Sequence, residues 1–527
     1  MSTTRGTLAG GTLAERTVAA ELRAGEGDAL EPKLDARACY RAVLARDRRH
    51  DGRFFTGVLS TGIYCRPICP ARAPKFENVR FFASAAAAEA AGLRSCLRCR
   101  PESAPELGAW RGTAASVSRA LALIEAGALD GGDVEALAAR VGMGERQLRR
   151  LFRQHLGASP VAVAQTRRVR LASQLIHQTE LGMGEVALAA GFGSVRRFNE
   201  TFQALYQRPP AQLRRARKAG AQSERSGGPD GIITLELSYG EPCDWQALWA
   251  HFRLRAVPGL EWAGDDAYGR TLRIGAHQGW FTLGPARAGR VLLEVSHGLL
   301  PELARMIAAV RRQFDLNCNP EAIDAALSLD ESLALDVAAH PGVRVPGLAD
   351  PFEQAVRAIL GQQVSVRAGI KLVHTLVEMT GEPLEGPQGL TRLFPRPEVL
   401  ARADLSALPM PGARRRAIAA LARAVCEDPA LLEPGRGLDE SVAALCAVSG
   451  IGPWSAHYIA MRALGEPDAF PGTDVGLLRG WQKLGTQCER PTPTQLASRA
   501  QAWRPWRAYA AQRLWLIDSR ADGDEPA

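Results

Sequence analysis

The sequence predicts a multidomain protein, mainly α with α+β parts, and three observations carry that prediction. Its 527 residues are too many for one hydrophobic core. Apolar residues recur at three- and four-residue spacing over two long stretches, 113–218 and 347–519, as helices packed on one face require. Between them the alternating runs "IITLELSY", "RTLRIGA", "GWFTLG" and "RVLLEVS" read as strands of a sheet.

Taken in order, residues 1–34 lack clear periodicity and read as a poorly ordered tail. Residues 35–110 hold four clustered cysteines among short β-like pieces, "RFFTGVLSTGIY" and "NVRFFA". Residues 111–217 are helical, and 218–230 are small, polar and glycine-rich, as in a linker. An α+β segment, 231–340, includes the helical "PELARMIAAVRRQF". Helices broken by Pro and Gly fill 341–521, and 522–527 form a second tail.

Lys and Arg exceed Asp and Glu by nine, which favours polyanionic partners without proving any. The runs "RQLRRLFRQ", "TRRVR", "LRRARK" and "ARRRA" are each, singly, most simply a solvated helix face. No segment approaches the ~20 apolar residues of a membrane helix, so no membrane partner is expected. The start "MSTTRGTLAGG" carries no secretory pattern, which places the chain in the cytoplasm with reduced thiols.

The cysteines are spaced Cys65-x3-Cys69 and Cys96-x2-Cys99, two turns that can each offer two sulfurs to one tetrahedral Zn²⁺. Disulfides are the competing use, and the reducing compartment opposes them. Cys39 and the other five cysteines are isolated and read as small buried side chains. The wording "TGIYCRPICPAR … ENVRFF … GLRSCLRCRP", within Asp35 to Pro101, resembles the zinc domain of the Ada family of DNA methyl-phosphotriester repair proteins. The resemblance implies that Cys65 is both a ligand and the methyl acceptor, with Cys69, Cys96 and Cys99 completing the site. A Cys₄–Zn²⁺ centre carries a formal charge of −2, and methylation removes one negative charge, so the modified domain should bind DNA more tightly. The surrounding arginines suit a phosphate partner.

"DVEALAARVGMGERQLRRLFRQHLG" has the parts of a helix-turn-helix, with Asp133 as cap and Val134, Leu137 and Ala138 on one face. Leu148, Leu151 and Phe152 line the next helix, leaving Arg146, Gln147, Arg149 and Arg150 outward for a major groove. About fifty residues on, "EVALAAGFGSVRRFNETFQALYQRPPAQLRR" repeats the plan. Ser194 caps the helix, Phe198 and Phe202 face inward, and Arg196, Arg197 and Asn199 face outward. The pair resembles the AraC-type DNA-binding domain over 116–215, in the same order after a zinc domain as in Ada.

"DESVAALCAVSGIGPWSAHYIAMRAL" reads as helix, glycine hairpin and helix, with Asp439 capping the first helix and Pro453 opening the second. Gly450 and Gly452 let backbone N–H groups approach a DNA phosphate. With "RQFDLNCNP", "DPFEQAVRAILGQQVSV", "FPGTDVGLLRGW" and "WRPWRAYAAQRLW", this half resembles the AlkA-type 3-methyladenine DNA glycosylases of the helix-hairpin-helix superfamily, over 231–519. The resemblance implies Asp474 as the catalytic carboxylate and Trp454, Tyr458 and Trp515 as the base pocket. Strand-cutting relatives carry a hairpin lysine where this chain has Trp454, so a monofunctional enzyme that needs no cofactor is expected. The family's apolar wedge falls on Gln363 here, a polar residue that intercalates less well. Trp503 and Trp506 read as core.

The resulting expectation is an alkylation-damage protein, sensor and activator in front and glycosylase behind. Its partners would be double-stranded DNA, both damaged and as a promoter or operator, and RNA polymerase, in association with the nucleoid. No Pro-Cys-His-Arg motif is present near the C-terminus, so direct O6-methylguanine repair is not expected. Two other readings compete: a DNA-binding regulator with a decayed glycosylase half, and a glycosylase whose front is only a zinc-stabilised DNA anchor.

Overall fold

The computed structural model describes residues 34–104, 115–220, 231–484 and 491–521. The expected tails before Leu34 and after Ala521, most of the expected linker, and Cys488 lie outside the described residues.

The first unit opens with α1 (Ala36–Ala45), whose first turn is capped by the Asp35 carboxylate accepting from the backbone N–H groups of Arg37 and Ala38. Strands β1 (Phe55–Val58), β2 (Ile63–Cys65), β3 (Val79–Phe82) and β4 (Arg94–Ser95) form a sheet of order β3-β1-β2-β4. Helix α2 (Ala85–Ala90) covers it with its alanines packed over Phe55, Tyr64, Phe82 and Leu93 and with Glu89 buried beside Tyr64.

Seven helices follow: α3 (Ala115–Glu125), α4 (Val134–Arg140), α5 (Glu145–Leu156), α6 (Pro160–Gln178), α7 (Met183–Ala189), α8 (Val195–Tyr206) and α9 (Pro210–Gly220). Helix α9 continues past Arg217 to Gly220, so the helical run extends into the segment read as linker.

The third unit is an antiparallel sheet, order β5-β9-β8-β7-β6, of β5 (Ile232–Ser238), β6 (Glu261–Ala263), β7 (Tyr268–Ile274), β8 (His277–Pro285) and β9 (Arg290–Ser296). Four of these strands coincide with the alternating runs; β6, at three residues, is too short for alternation to register. Helix α10 (Trp245–Arg255) lies between β5 and β6 in the chain, and α11 (Leu303–Gln313) covers "PELARMIAAVRRQF".

The remaining helices run from α12 (Pro320–Leu327) and α13 (Glu331–Ala339) to α14 (Pro351–Leu360), α15 (Val366–Thr380), α16 (Pro397–Leu400) and α17 (Gly412–Glu427). The hairpin pair α18 (Leu438–Cys446) and α19 (Pro453–Arg462) precedes α20 (Val475–Leu484), α21 (Pro493–Arg499) and α22 (Arg507–Ala521). Asp439 does not cap α18. The helix starts one residue earlier, at Leu438, and Glu440 accepts from the N–H of the cap residue Gly437 at 3.0 Å.

The units share cores. Val169, Ala172 and Ile176 of α6 belong to the same buried cluster as Leu235, Leu237 and Leu293 of the sheet. Between the first unit and α6, buried Glu89 accepts from Tyr64 Oη at 2.7 Å and from Thr166 Oγ1 at 2.5 Å. Burial raises the Glu89 carboxyl above its ordinary range, and the two hydroxyl bonds pull it back. The sheet is fastened to α14 by a buried network in which Arg270 pairs with Glu353 and Arg357 pairs with Glu261 at 2.7 Å.

Of the cysteines read as small buried side chains, Cys39 and Cys318 are buried and Cys243 and Cys446 half-buried, whereas Cys426 is exposed on α17, a correction to that expectation. Cys243 and Cys318 both contact the Arg344 guanidinium.

Candidate functional site

Strand β2 ends on Cys65, and Cys69 follows in a turn closed by its N–H to Arg66 O at 3.2 Å. Strand β4 pairs parallel with β2, Tyr64 opposite Ser95, so that Cys96 is delivered beside Cys65. The Arg100 N–H returns to Cys96 O at 3.0 Å and curls Cys99 toward the same point. All four Sγ atoms lie within 4.8 Å of one another. A tetrahedron of ~2.3 Å Zn–S bonds has edges of about 3.8 Å, so the four sulfurs fit one zinc ion. Cys96 and Cys99 are buried while Cys65 and Cys69 are half-exposed, and the Arg66 N–H donates to Cys99 Sγ at 3.4 Å.

Beside Cys65 a cavity of about 420 Å³ is lined by Val43, Leu44, Val58, Ile63 and Pro74, with Arg46 and Arg72 also contributing. The expectation that the surrounding arginines all suit a phosphate needs correction for Arg66. That side chain is buried, paired with Asp51, and donates to Cys99 O at 3.3 Å, so it builds the loop. Arg72 and Arg98 are exposed.

In the helical unit, the Ala136 N–H reaches Asp133 Oδ1 at 2.8 Å and the Arg197 N–H reaches Ser194 Oγ at 3.2 Å, the two caps read from sequence. Leu148, Phe152, Phe198 and Phe202 are fully buried, which turns the other face of each helix outward. Arg146, Gln147, Arg149 and Arg150 on α5, and Arg196, Arg197 and Asn199 on α8, are all exposed. Arg149 and Arg196 are held by i,i+4 pairs to Glu145 and Glu200.

The hairpin glycine Gly450 has φ +90°, and a Cβ there would lie 2.4 Å from the Ala417 Cβ, so the turn needs glycine on both counts. Gly452 is the cap residue of α19 and Pro453 its first residue. The loop between α14 and α15 is tied to the hairpin: Gln362 Nε2 donates to Gly450 O at 3.3 Å and to Ser455 Oγ at 2.9 Å. Next to it Gln363 is exposed with φ +55°.

Helix α19 sets Trp454, Tyr458 and Arg462 at i, i+4 and i+8 on one face. Trp454 and Tyr458 stack at 5.3 Å and 11°, and Trp515 from α22 stands across Tyr458 at 6.1 Å and 73°. Asp474 closes the fourth side. Its Oδ2 accepts from Trp454 Nε1 at 3.0 Å, and its Oδ1 accepts from Trp515 Nε1 at 2.8 Å and from the Leu477 N–H at 3.1 Å. Asp474 thus caps α20 and faces the aromatic cluster with the same carboxylate, half-exposed at its mouth. Trp503 is buried and donates to Asp330, as core, and Trp506 is half-buried.

Arg462 and Gln362, which no motif singles out, also stand at this site. Arg462 was findable, since it continues the four-residue spacing of Trp454 and Tyr458.

Four family models match the chain: the metal binding domain of Ada over 38–102, a helix-turn-helix domain over 137–216, the AlkA N-terminal domain over 234–350, and the HhH-GPD superfamily of base excision DNA repair proteins over 356–507. A Mycobacterium tuberculosis protein described as a probable bifunctional transcriptional activator/DNA repair enzyme AlkA is 41% identical over 483 residues, 91% of this chain and 96% of its own. The Escherichia coli DNA-3-methyladenine glycosylase 2 is 36% identical over 54% of this chain and 96% of its own length. The Escherichia coli Ada protein, a bifunctional transcriptional activator/DNA repair enzyme, is 42% identical over 25% of this chain and 36% of its own. With all four domains in one order along one chain, and identity sustained over nine-tenths of it, this protein belongs to the family of bifunctional Ada/AlkA-type transcriptional activators and DNA repair glycosylases.

Proposed function

We propose that Asp474 and Cys65 are the two reactive groups of this chain, one catalytic and one consumed. The observation that carries the first assignment is the Asp474 carboxylate, held by two indole N–H groups at the edge of an aromatic cluster. A base flipped from the duplex meets Trp454, Tyr458 and Trp515, whose electron-rich faces attract an alkylated, cationic purine. As the glycosidic C–N bond breaks, its electron pair leaves with the base and positive charge develops on the sugar, facing Asp474. Water then adds to the sugar carbon and loses a proton, leaving an abasic site. Trp454 offers no amine for a Schiff base, so the strand is not cut. Glycines 450 and 452 hold the backbone phosphate, and Gln363, at the exposed tip of its loop, fills the vacated stack.

Cys65 is the more accessible kind of ligand, half-exposed beside the apolar cavity. Zinc held by Cys65, Cys69, Cys96 and Cys99 would keep the sulfurs as thiolates at neutral pH. Cys65 Sγ attacks the methyl carbon of a phosphotriester; the C–O bond breaks and the phosphodiester leaves with the electron pair. The thioether stays on the protein, so the transfer occurs once per chain. The lost negative charge favours DNA, where Arg146, Gln147, Arg149, Arg150, Arg196, Arg197 and Asn199 read a promoter and the bound chain recruits RNA polymerase. The work would take place on the cytoplasmic nucleoid.

The test is release of bases from methylated DNA by the wild type and by Asp474→Asn. Loss of release by at least about 100-fold with unchanged zinc content is expected; equal release by both would refute the catalytic assignment. In the same incubation, peptide mass spectrometry should find a methyl group on Cys65, and its absence would reduce the front unit to a DNA anchor.

A further inference from the structure

Behind the aromatic cluster lies a permanent positive charge. The Arg462 guanidinium sits 5.6 Å from the Tyr458 ring centroid and 5.1 Å from that of Trp515, at the inner corner where the two rings meet. It is buried, at 4% exposure, and its hydrogen bonds go to neutral oxygens: Nη1 to Pro346 O at 2.7 Å and Nη2 to Gln512 Oε1 at 2.8 Å. A second guanidinium, Arg255 at the end of α10, lies close enough to be felt electrostatically by both Arg462 and Tyr458. Burial lowers Arg462 to about 10, with Arg255 adding to the effect, which still leaves it protonated at neutral pH.

A pocket built only to select cationic bases would keep the far faces of its rings free of positive charge. Here a cation already lies over two of the three rings, Tyr458 and Trp515, where it draws ring electron density toward itself and repels a second cation directly. The aromatic walls and Asp474 attract a cationic base, while Arg462 subtracts from that attraction; a neutral base feels neither strongly. We infer that Arg462 is a specificity-determining residue that holds down the preference of the pocket for positively charged over uncharged bases and so broadens the range of lesions accepted. The inference rests on the base-excision reading of Asp474 and its aromatic neighbours.

Two unit charges roughly 10 Å apart, at an effective permittivity of about 20, repel by an amount equal to about ten-fold in binding. The test therefore reads a ratio, which the fraction of correctly folded protein does not move. Duplexes carrying 7-methylguanine (cationic) or hypoxanthine (neutral) are given to wild type, Arg462→Gln and Arg462→Lys, and the ratio of the two release rates is compared. Affinity for duplexes with a positively charged or an uncharged abasic-sugar analogue gives a second ratio that needs no turnover. Arg462→Gln is expected to raise the cationic-to-neutral ratio about ten-fold, and Arg462→Lys to leave it near the wild-type value. An unchanged ratio in Arg462→Gln, or an equal rise in both variants, overturns the role of the charge and leaves Arg462 as packing alone. Wild type that releases neither base counts instead against the base-excision reading, and the analogue ratio still decides the inference.

Discussion

At the scale of single residues, one carboxylate receives three N–H groups, and two of them come from rings of the aromatic cluster. Trp515→Phe keeps a ring across from Tyr458, removes the bond to Asp474 Oδ1 and reduces the ring surface that meets Arg462. A hydrogen bond to a charged group is worth about 1.5–3 kcal/mol, so single-turnover base release should fall by roughly ten- to a hundred-fold, and the melting temperature should fall by a few degrees. Glu466 is a second case, raised to about 7 by burial, with Asp468 adding to the shift and Arg119 opposing it. Its folded value lies above its unfolded one, so the folded state holds a proton that the unfolded chain has lost between about pH 4.5 and 7. Stability therefore declines as pH rises through that window. Glu466→Gln should melt higher than wild type at pH 8 and equally at pH 4.5, as thermal unfolding at the two pH values would show. At this scale the sequence foreshadows which side chains gather, the four cysteines through their spacing and Trp454, Tyr458 and Trp515 through the family resemblance. Arg66 was not legible, because nothing local shows that Asp51 takes its charge.

At the scale of elements, helix starts were readable where a side chain does the capping, as with Asp133, Ser194 and Asp474. At α18 the cap residue is a glycine and the acceptor comes from Glu440 inside the first turn, so Asp439 was read as a cap it does not form. Strand β6, at three residues, is too short to show a pattern, whereas its partner β7 is long enough for the run beginning at Arg270 to mark it, although its first five residues are all buried. The glycine hairpin was readable from "SGIG", and its tolerance can be forecast from geometry. Gly450→Ala places a methyl group in the left-handed region, 2.4 Å from the Ala417 Cβ. Strain of about 1–2 kcal/mol from the backbone adds to the overlap, so the hairpin should shift away from α17. The expected result is weaker binding to undamaged duplex and slower base release together, measured by fluorescence anisotropy and by release assay.

At the scale of the whole molecule, the units are joined by polar contacts between residues far apart in the chain, which no local sequence pattern reveals. Arg119 Nε donates to Gly435 O at 3.0 Å and Arg140 pairs with Glu433 at 2.7 Å, fastening α3 and α4 to the segment that leads into the glycine hairpin. Ser84 caps α2 through the Ala87 N–H and also donates to Leu156 O, at the end of the outward helix α5. Glu89 is the most deeply placed of these links, with one oxygen on Tyr64, whose neighbour is Cys65, and the other on Thr166 of α6. Replacing it by alanine leaves two buried hydroxyls without their acceptor, and each such loss costs about 1–3 kcal/mol. Because those hydroxyls belong to different units, the cost should be shared by both. Glu89→Ala is expected to release zinc at a lower urea concentration and, in the same titration, to lower the unfolding midpoint of the helical unit. A variant that loses zinc early while the helices unfold at the wild-type midpoint would show that the cysteine cluster and the helical unit unfold independently. A joint shift would mean that the cysteine unit and α6 draw stability from the same carboxylate, through Tyr64 on one side and Thr166 on the other.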